Sequence, residues 1–178
     1  MIQIDRRVFT LHTRNTTYQM KADGHHVLLH TYYGPRVSGE DLSYLIQYAD
    51  RGFSPNPQEA GDDRTYSLDT LPQEYSTCGG GDFRLPSIEF ERPDGSLTAD
   101  LRYAGHELRK GKYSLPGLPA FWGGDEWETL VVFMEDAAAR IPTRVGEQSI
   151  RRTIEGAEPV VFEAQEQTRM DDNGINVT

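Results

Sequence analysis

The chain reads as all-β, an antiparallel β-sandwich. Three observations predict this. Short runs of β-branched and aromatic residues recur along it. Turn dipeptides such as Asp23-Gly24 and Asp94-Gly95 separate several of them. Apolar residues almost nowhere recur at the 3.6-residue spacing of a helix.

Taken in order, RVFTLHTR alternates and places Phe9 and Leu11 on one face. TTYQMKA and HHVLLHTYY follow, with Asp23-Gly24 between them, where glycine suits the positive φ of a tight turn. Residues 7–33 therefore form a three-stranded antiparallel meander. Residues 34–64 carry proline and glycine throughout, and we read them as a long excursion with one helical turn near Leu42–Tyr48. Residues 65–86 are irregular. SIEFER and SLTADLRYAGHELR read as strands flanking Pro93-Asp94-Gly95, and KGKYSLPGLPAF as a proline-punctuated link. WETLVVFMED is the most strand-like run of the second half. Beyond it, DAAARI suits a helical turn, SIRRTIE and EPVVFEAQEQ suit strands, and RMDDNGINVT reads as a frayed tail.

The bulk numbers narrow the class. A chain of 178 residues with 37% apolar and 10% aromatic content fits one domain with one core. A net charge of −10, from 28 acids against 18 bases, sets aside nucleic acid and anionic membrane as partners. The single cysteine, Cys78, forms no internal disulfide and points to a reducing compartment, the cytoplasm. No apolar run reaches the length of a membrane span, and MIQIDRRVF lacks the apolar middle of a secretory signal.

Most candidate chemistry has a bland reading. His25, His26 and His30 could ligate a metal, but no carboxylate or thiolate cluster accompanies them, so no metal is assigned. Asp62-Asp63 reads as a turn, and Asp125, Glu126 and Glu128 as a solvated strand edge. Nothing marks one acid for a raised pKa and a neighbour for a lowered one. Cys78 has no base tied to it by a motif, and CGGGDF lacks the spacing of a phosphate cradle, so no cofactor is assigned. RGFSPNP differs: Phe53 stands between flexible Gly52 and proline-stiffened Ser54-Pro55-Asn56-Pro57. Such a tip suits an aromatic that reaches a partner surface or a sugar face. It equally suits a ring packed back on its own sandwich.

An ordered set of segments resembles one family. Leu11, Thr13, Asn15, Thr16, Thr17 and Tyr18, then Leu28, His30, Tyr32, Tyr33 and Gly34, match the opening strands of bacterial family 36 α-galactosidases. DLSYLI, FSPNP, SLDTLPQEY, GDFRLPSIEFERPDGS, DLRYAGHELRKGK, LPGLPA and ETL follow in the family's order, from about residue 8 to residue 136. Ser76 and Cys78 replace the usual proline and aromatic, and Phe121-Trp122 a Thr-Tyr-like pair. Beyond Arg140 the match fades. The resemblance thus implies an amino-terminal sandwich domain over residues 1–140 and a divergent, incomplete continuation over residues 141–178, a truncated supersandwich.

The resemblance also implies a role. The family's enzymes hydrolyse terminal α-linked galactose with retention, and both catalytic aspartates lie in a central barrel, one within Lys-Trp-Asp-x-Asn. Neither Trp122 nor Trp127 follows a lysine. Retention needs two carboxyl groups about 5 Å apart on a rigid mouth. We therefore expect no catalytic residue here and no activity from the chain alone. The resemblance further implies a homo-oligomer in which the DRGFSPNP loop walls a neighbouring subunit's pocket, with Asp50, Arg51 and Phe53 facing the α-galactoside. Two other readings are a stand-alone carbohydrate-binding sandwich, with Trp122 and Trp127 as its platform, and a truncated or frameshifted remnant without activity. A sandwich lacking strands leaves open edges, so the isolated chain is expected to self-associate.

Overall fold

A computed structural model describes residues 1–50, 52, 56–91, 95–111 and 128–137, together with the backbone of four short strands further on. The described residues form antiparallel sheets and two short 3-10 turns, Ser43–Leu45 and Gln58–Ala60. None of their helices is long and apolar enough to cross a membrane.

The first sheet has the order β1-β2-β3-β4, with β1 Ile2–Asp5, β2 Val8–His12, β3 Thr16–Ala22 and β4 Leu28–Pro35. The expected meander is β2, β3 and β4, and β1 is an addition. Its turn escapes the usual sequence signals. Asp5 pairs with Val8, and Arg6 takes the left-handed conformation, φ 56°, that asparagine or glycine normally supplies. The Asp23-Gly24 turn also differs from expectation. It runs from Asp23 to Val27, and its left-handed residue is His26, φ 63°, rather than Gly24. Asp23 Oδ1 accepts from the backbone N–H of His25 and of Val27, each at 2.9 Å, so the carboxylate organises a longer turn.

The second sheet pairs β5, Leu101–Lys110, with β6, Glu128–Asp136. SIEFER does not form the expected strand. The N–H groups of Ser87 and Ile88 both turn to the Ser76 carbonyl, at 2.9 and 3.2 Å, while Ile88 and Phe90 pack against the core. The helical turn expected near residues 42–48 is a 3-10 turn at 43–45, and the excursion holds a second at 58–60. Pro93, Asp94 and most of the proline-punctuated link lie outside the described residues, as does EPVVFEAQEQ. Downstream, β7 Ile141–Pro142 pairs with β8 Arg151–Arg152. β9 Thr168–Asp171 pairs antiparallel with β10 Gly174–Val177, so most of the stretch expected to fray lies in two paired strands.

One core joins the two sheets. Phe9, Leu11, Tyr18, Met20, Ala22 and Leu28 of the first meet Leu101, Tyr103, Leu130, Val132 and Met134 of the second. Phe9 and Leu11 do share the face assigned to them. Their strand is nevertheless buried on both sides, because Thr10, His12, Thr17 and Gln19 lie beneath the excursion that follows β4. These polar groups pair with one another and with its backbone. Gln19 Nε2 donates to Thr10 Oγ1 and to the Glu40 carbonyl, both at 2.8 Å, and its Oε1 accepts from Leu42 N–H at 2.9 Å. Paired in this way, they avoid the cost of burying bare polar atoms.

His12 makes this layer sensitive to acid. Its Nδ1 lies 2.9 Å from Thr17 Oγ1, and burial, then Arg36 and the amino terminus, hold its pKa below the usual 6.5. A lowered histidine pKa leaves the unfolded chain holding more protons below pH 6.5. Stability is therefore full above that pH and falls as pH drops through the folded value. Thermal melts of the chain between pH 7.5 and 5.5 should show a falling Tm, with a flatter profile for His12→Asn. Parallel profiles for the two proteins would remove His12 as the cause.

Candidate functional site

The excursion after β4 is built onto the outer face of the first sheet. Lys21 Nζ reaches Asp41 Oδ2 and Ser43 Oγ, both at 2.8 Å. Burial works against the ionised Asp41 carboxyl, yet the bonds from Lys21 and Ser43 hold its pKa below the ordinary range. Val37 N–H donates to Thr17 Oγ1 at 3.1 Å. A second apolar cluster of Val27, Leu29, Ile46, Tyr66, Leu68 and Leu71 then seats both arms of the excursion.

Tyr66 is the hub of that cluster. Its hydroxyl donates to Asp23 Oδ2 at 2.5 Å, joining residues 43 positions apart. Burial, and then the Asp23 carboxylate, push the phenol's pKa well above its usual value. The His25 ring lies 4.5 Å from the Tyr66 ring. Tyr48 stacks on the other approach, with centroids 6.5 Å apart and planes at 22°. Arg102, from β5, donates to the His25 carbonyl at 3.0 Å while its Nε and Nη2 hold Asp100 at 2.7 and 2.9 Å.

At Asp50 and Gly52 the outgoing arm of the excursion is fastened to the returning one. Asp50 Oδ1 accepts from Gly52 N–H at 2.7 Å, and Gly52 itself is left-handed at φ 75°. Arg64 Nη2 donates to the Gly52 carbonyl at 3.1 Å and lies 3.3 Å from Asp50 Oδ1. On the returning arm, Asn56 Nδ2 donates to the Asp63 carbonyl at 2.7 Å, and Asp63 Oδ1 accepts from Thr65 N–H and Oγ1 at 2.9 and 2.7 Å. The Thr65 bonds lower the Asp63 pKa, so this carboxyl is ionised near neutrality. The arrangement offers anchoring and hydrogen bonding, with two carboxylates already committed to the loop.

Of the sequence candidates, Asp50 stands in this clamp, while Arg51 and Phe53 lie outside the described residues, as do Trp122, Trp127, Asp125 and Glu126. The histidines disperse. His26 belongs to the β3–β4 turn and puts Nδ1 3.0 Å from the Tyr103 carbonyl, so it shares no strand face with His30. His30 packs on Tyr18, and burial lowers its pKa, which leaves it neutral beside Glu74, 3.4 Å away. Among the described residues no group of three or more histidine, cysteine, aspartate or glutamate side chains is placed to hold a metal. Cys78 is exposed and unpaired. Glu128 accepts from Ile2 N–H at 2.6 Å and so ties the two sheets together. Sequence reasoning passed over Arg64, Tyr66 and the buried role of Asp23. The turn expected at Asp62-Asp63 is present, and Asp63 Oδ1 holds it through Thr65.

A family model described as the glycosyl hydrolase family 36 N-terminal domain matches residues 26–145. The bifunctional alpha-galactosidase/sucrose kinase AgaSK of Mediterraneibacter gnavus is 47% identical over 138 residues, which are 77% of this chain and 15% of that protein. Alpha-galactosidase Mel36A of Lactobacillus acidophilus is 36% identical over 157 residues, 87% of this chain and 21% of its own. Among solved structures, the galactosidase domain of AgaSK superposes with a TM-score of 0.72 at 45% identity, over 79% of this chain and 20% of that one. AgaA from Geobacillus stearothermophilus in complex with raffinose superposes at 0.66 with 38% identity, over 75% of this chain and 18% of that one. The chain thus spans about a fifth of these relatives.

Proposed function

Because the chain belongs to the glycosyl hydrolase family 36 N-terminal domain family, we propose that it serves as the non-catalytic amino-terminal domain of an α-galactosidase. The observation that carries this reading is the extent of the match, residues 26–145 against about a fifth of each relative. The full enzyme would release terminal galactose from melibiose- or raffinose-type sugars. Within it, this domain supports assembly, and its Asp50–Phe53 tip walls the pocket of a neighbouring subunit. The clamp of Arg64 on Asp50 and Gly52 supports the second part, since it fixes Asp50, one of the residues assigned to the wall, before any substrate arrives. The lone cysteine and the absence of an apolar run of membrane-span length favour the cytoplasm as its place of work.

The test is a chimera in which residues 8–136 replace the matching segment of AgaSK. The 178-residue chain alone should show no raffinose hydrolysis, and the chimera should be active. Phe53→Ala in the chimera should lower kcat/KM on raffinose about tenfold, the worth of one lost aromatic contact. Activity of the isolated chain would sink the non-catalytic reading. An active chimera indifferent to Phe53→Ala would remove only the wall in trans.

A further inference from the structure

Residues 79–86 form a loop of a different character. Gly79, Gly80 and Gly81 are all left-handed, at φ 120°, 61° and 88°. A Cβ on Gly79 would lie 2.7 Å from Thr98 Cγ2, so the backbone there is pressed close to its neighbour. Asp82 follows, with its side chain 2% exposed. Its carboxylate accepts from Gln73 Nε2 at 2.7 Å and from Arg84 N–H, Nε and Nη2 at 3.0, 2.9 and 2.8 Å. The same Arg84 Nη2 donates to the carbonyls of Leu68 and Leu71, at 2.7 and 3.0 Å. Arg84 thus lies along the surface, its side chain 42% exposed and its guanidinium fastened to Asp82 and to the two carbonyls, and the residues on either side of it stand out. Phe83 is 80% exposed and Leu85 92%.

The Asp82 carboxylate is buried, and two large apolar side chains beside it stand in water, on a loop fastened by its hydrogen bonds to Gln73 and Arg84. Such a preorganised apolar projection suits a binding partner. Its size says which kind. Two side chains offer roughly 300 Å² of surface, against about 800 Å² per partner in a stable association of separate molecules. A patch this small suits a partner on the same polypeptide, because a covalent link replaces the bimolecular encounter with an effective concentration. The relatives carry such a partner, since about four-fifths of their length lies outside the match.

We propose that Phe83 and Leu85 are the docking knuckle by which this domain seats in an apolar recess of the polypeptide that accompanies it in the α-galactosidases. The proposal rests on the accessory-domain reading. The test compares Phe83→Ser/Leu85→Ser in the isolated 178-residue chain and in the AgaSK chimera, by thermal unfolding and by hydrogen exchange at residues 79–86. The expected result is a Tm change of no more than about 1 °C in the isolated chain and a loss of about 5 °C in the chimera. Amides of the loop should also exchange more slowly in the chimera than in the chain alone. An equal loss in both proteins overturns the proposal, because the knuckle is then covered by this chain itself. No loss in either overturns it too, because the knuckle then stays in water. Dissociation of an isolated-chain dimer by the double substitution would assign the surface to a second copy instead. A chimera with the unaltered sequence that fails to assemble brings down the accessory-domain reading and this proposal together, whereas an active chimera indifferent to the substitutions rejects the knuckle alone.

Discussion

Phe9→Ala should lower the unfolding free energy of the chain by about 4 kcal/mol, as expected for a fully buried aromatic that leaves a cavity. Phe9 has no exposed surface, and its ring meets Tyr103 at 5.8 Å and His106 edge-on at 5.0 Å, both on the second sheet. The ring is therefore a direct link between sheets, and its loss removes contacts on both. Domains of this size are stable by only about 5–15 kcal/mol, so the variant should sit near its unfolding threshold at 37 °C. Phe9→Leu keeps most of the volume and should cost about 1.5 kcal/mol. Urea titrations of the three proteins read this directly. A loss below 1.5 kcal/mol for the alanine variant would mean that the sheets do not share the core around Phe9.

Asp23→Ala should cost about 3 kcal/mol, for a different reason. One buried carboxylate takes three hydrogen bonds, from His25 N–H, Val27 N–H and the Tyr66 hydroxyl. Removing it leaves those donors without their acceptor, and unmade bonds to buried groups cost more than made ones contribute. Tyr66→Phe removes one donor and should cost about 1 kcal/mol. The double variant should then cost less than the sum of the two, since the second change deletes a group the first has orphaned. Simple additivity in denaturant titrations would mean that Asp23 and Tyr66 act independently. The phenol supplies a second reading: it should ionise at a lower pH once Asp23 is gone, because that carboxylate contributes to its raised pKa.

Strand content was legible where β-branched and aromatic residues cluster in short runs. β2 to β4 and β6 show this best, and β6 is an unbroken apolar run rather than an alternating one. β1 was not legible. Its four residues alternate, but the turn beside it uses Arg6 in a conformation that composition does not announce. SIEFER alternates as a strand should and is not one, because Ser76 captures the N–H groups that a ladder would use. Asp23-Gly24 was rightly placed at a turn and wrongly assigned its mechanism, since the carboxylate rather than the glycine shapes it. Asp50 is singled out by the family resemblance rather than by any local pattern. The arginine that holds it is not singled out at all, because Arg64 is one of many surface cations until the chain folds back and brings it to Gly52. The same holds for Arg84, whose carbonyl partners on Leu68 and Leu71 come within reach only when the chain folds.

The exposed Cys78 has a practical consequence for every count of molecules in solution. As the sole thiol in the sequence, it can join two chains covalently in air, and such a pair would pass for a native dimer in light scattering. Oligomeric state should therefore be read with reductant present, and again after alkylation. The same thiol turns to advantage once it is capped with a maleimide dye. The unmutated chain then carries one fluorophore at one known position, one residue before the triple-glycine bend, where it can report a change of surroundings without any engineered attachment point.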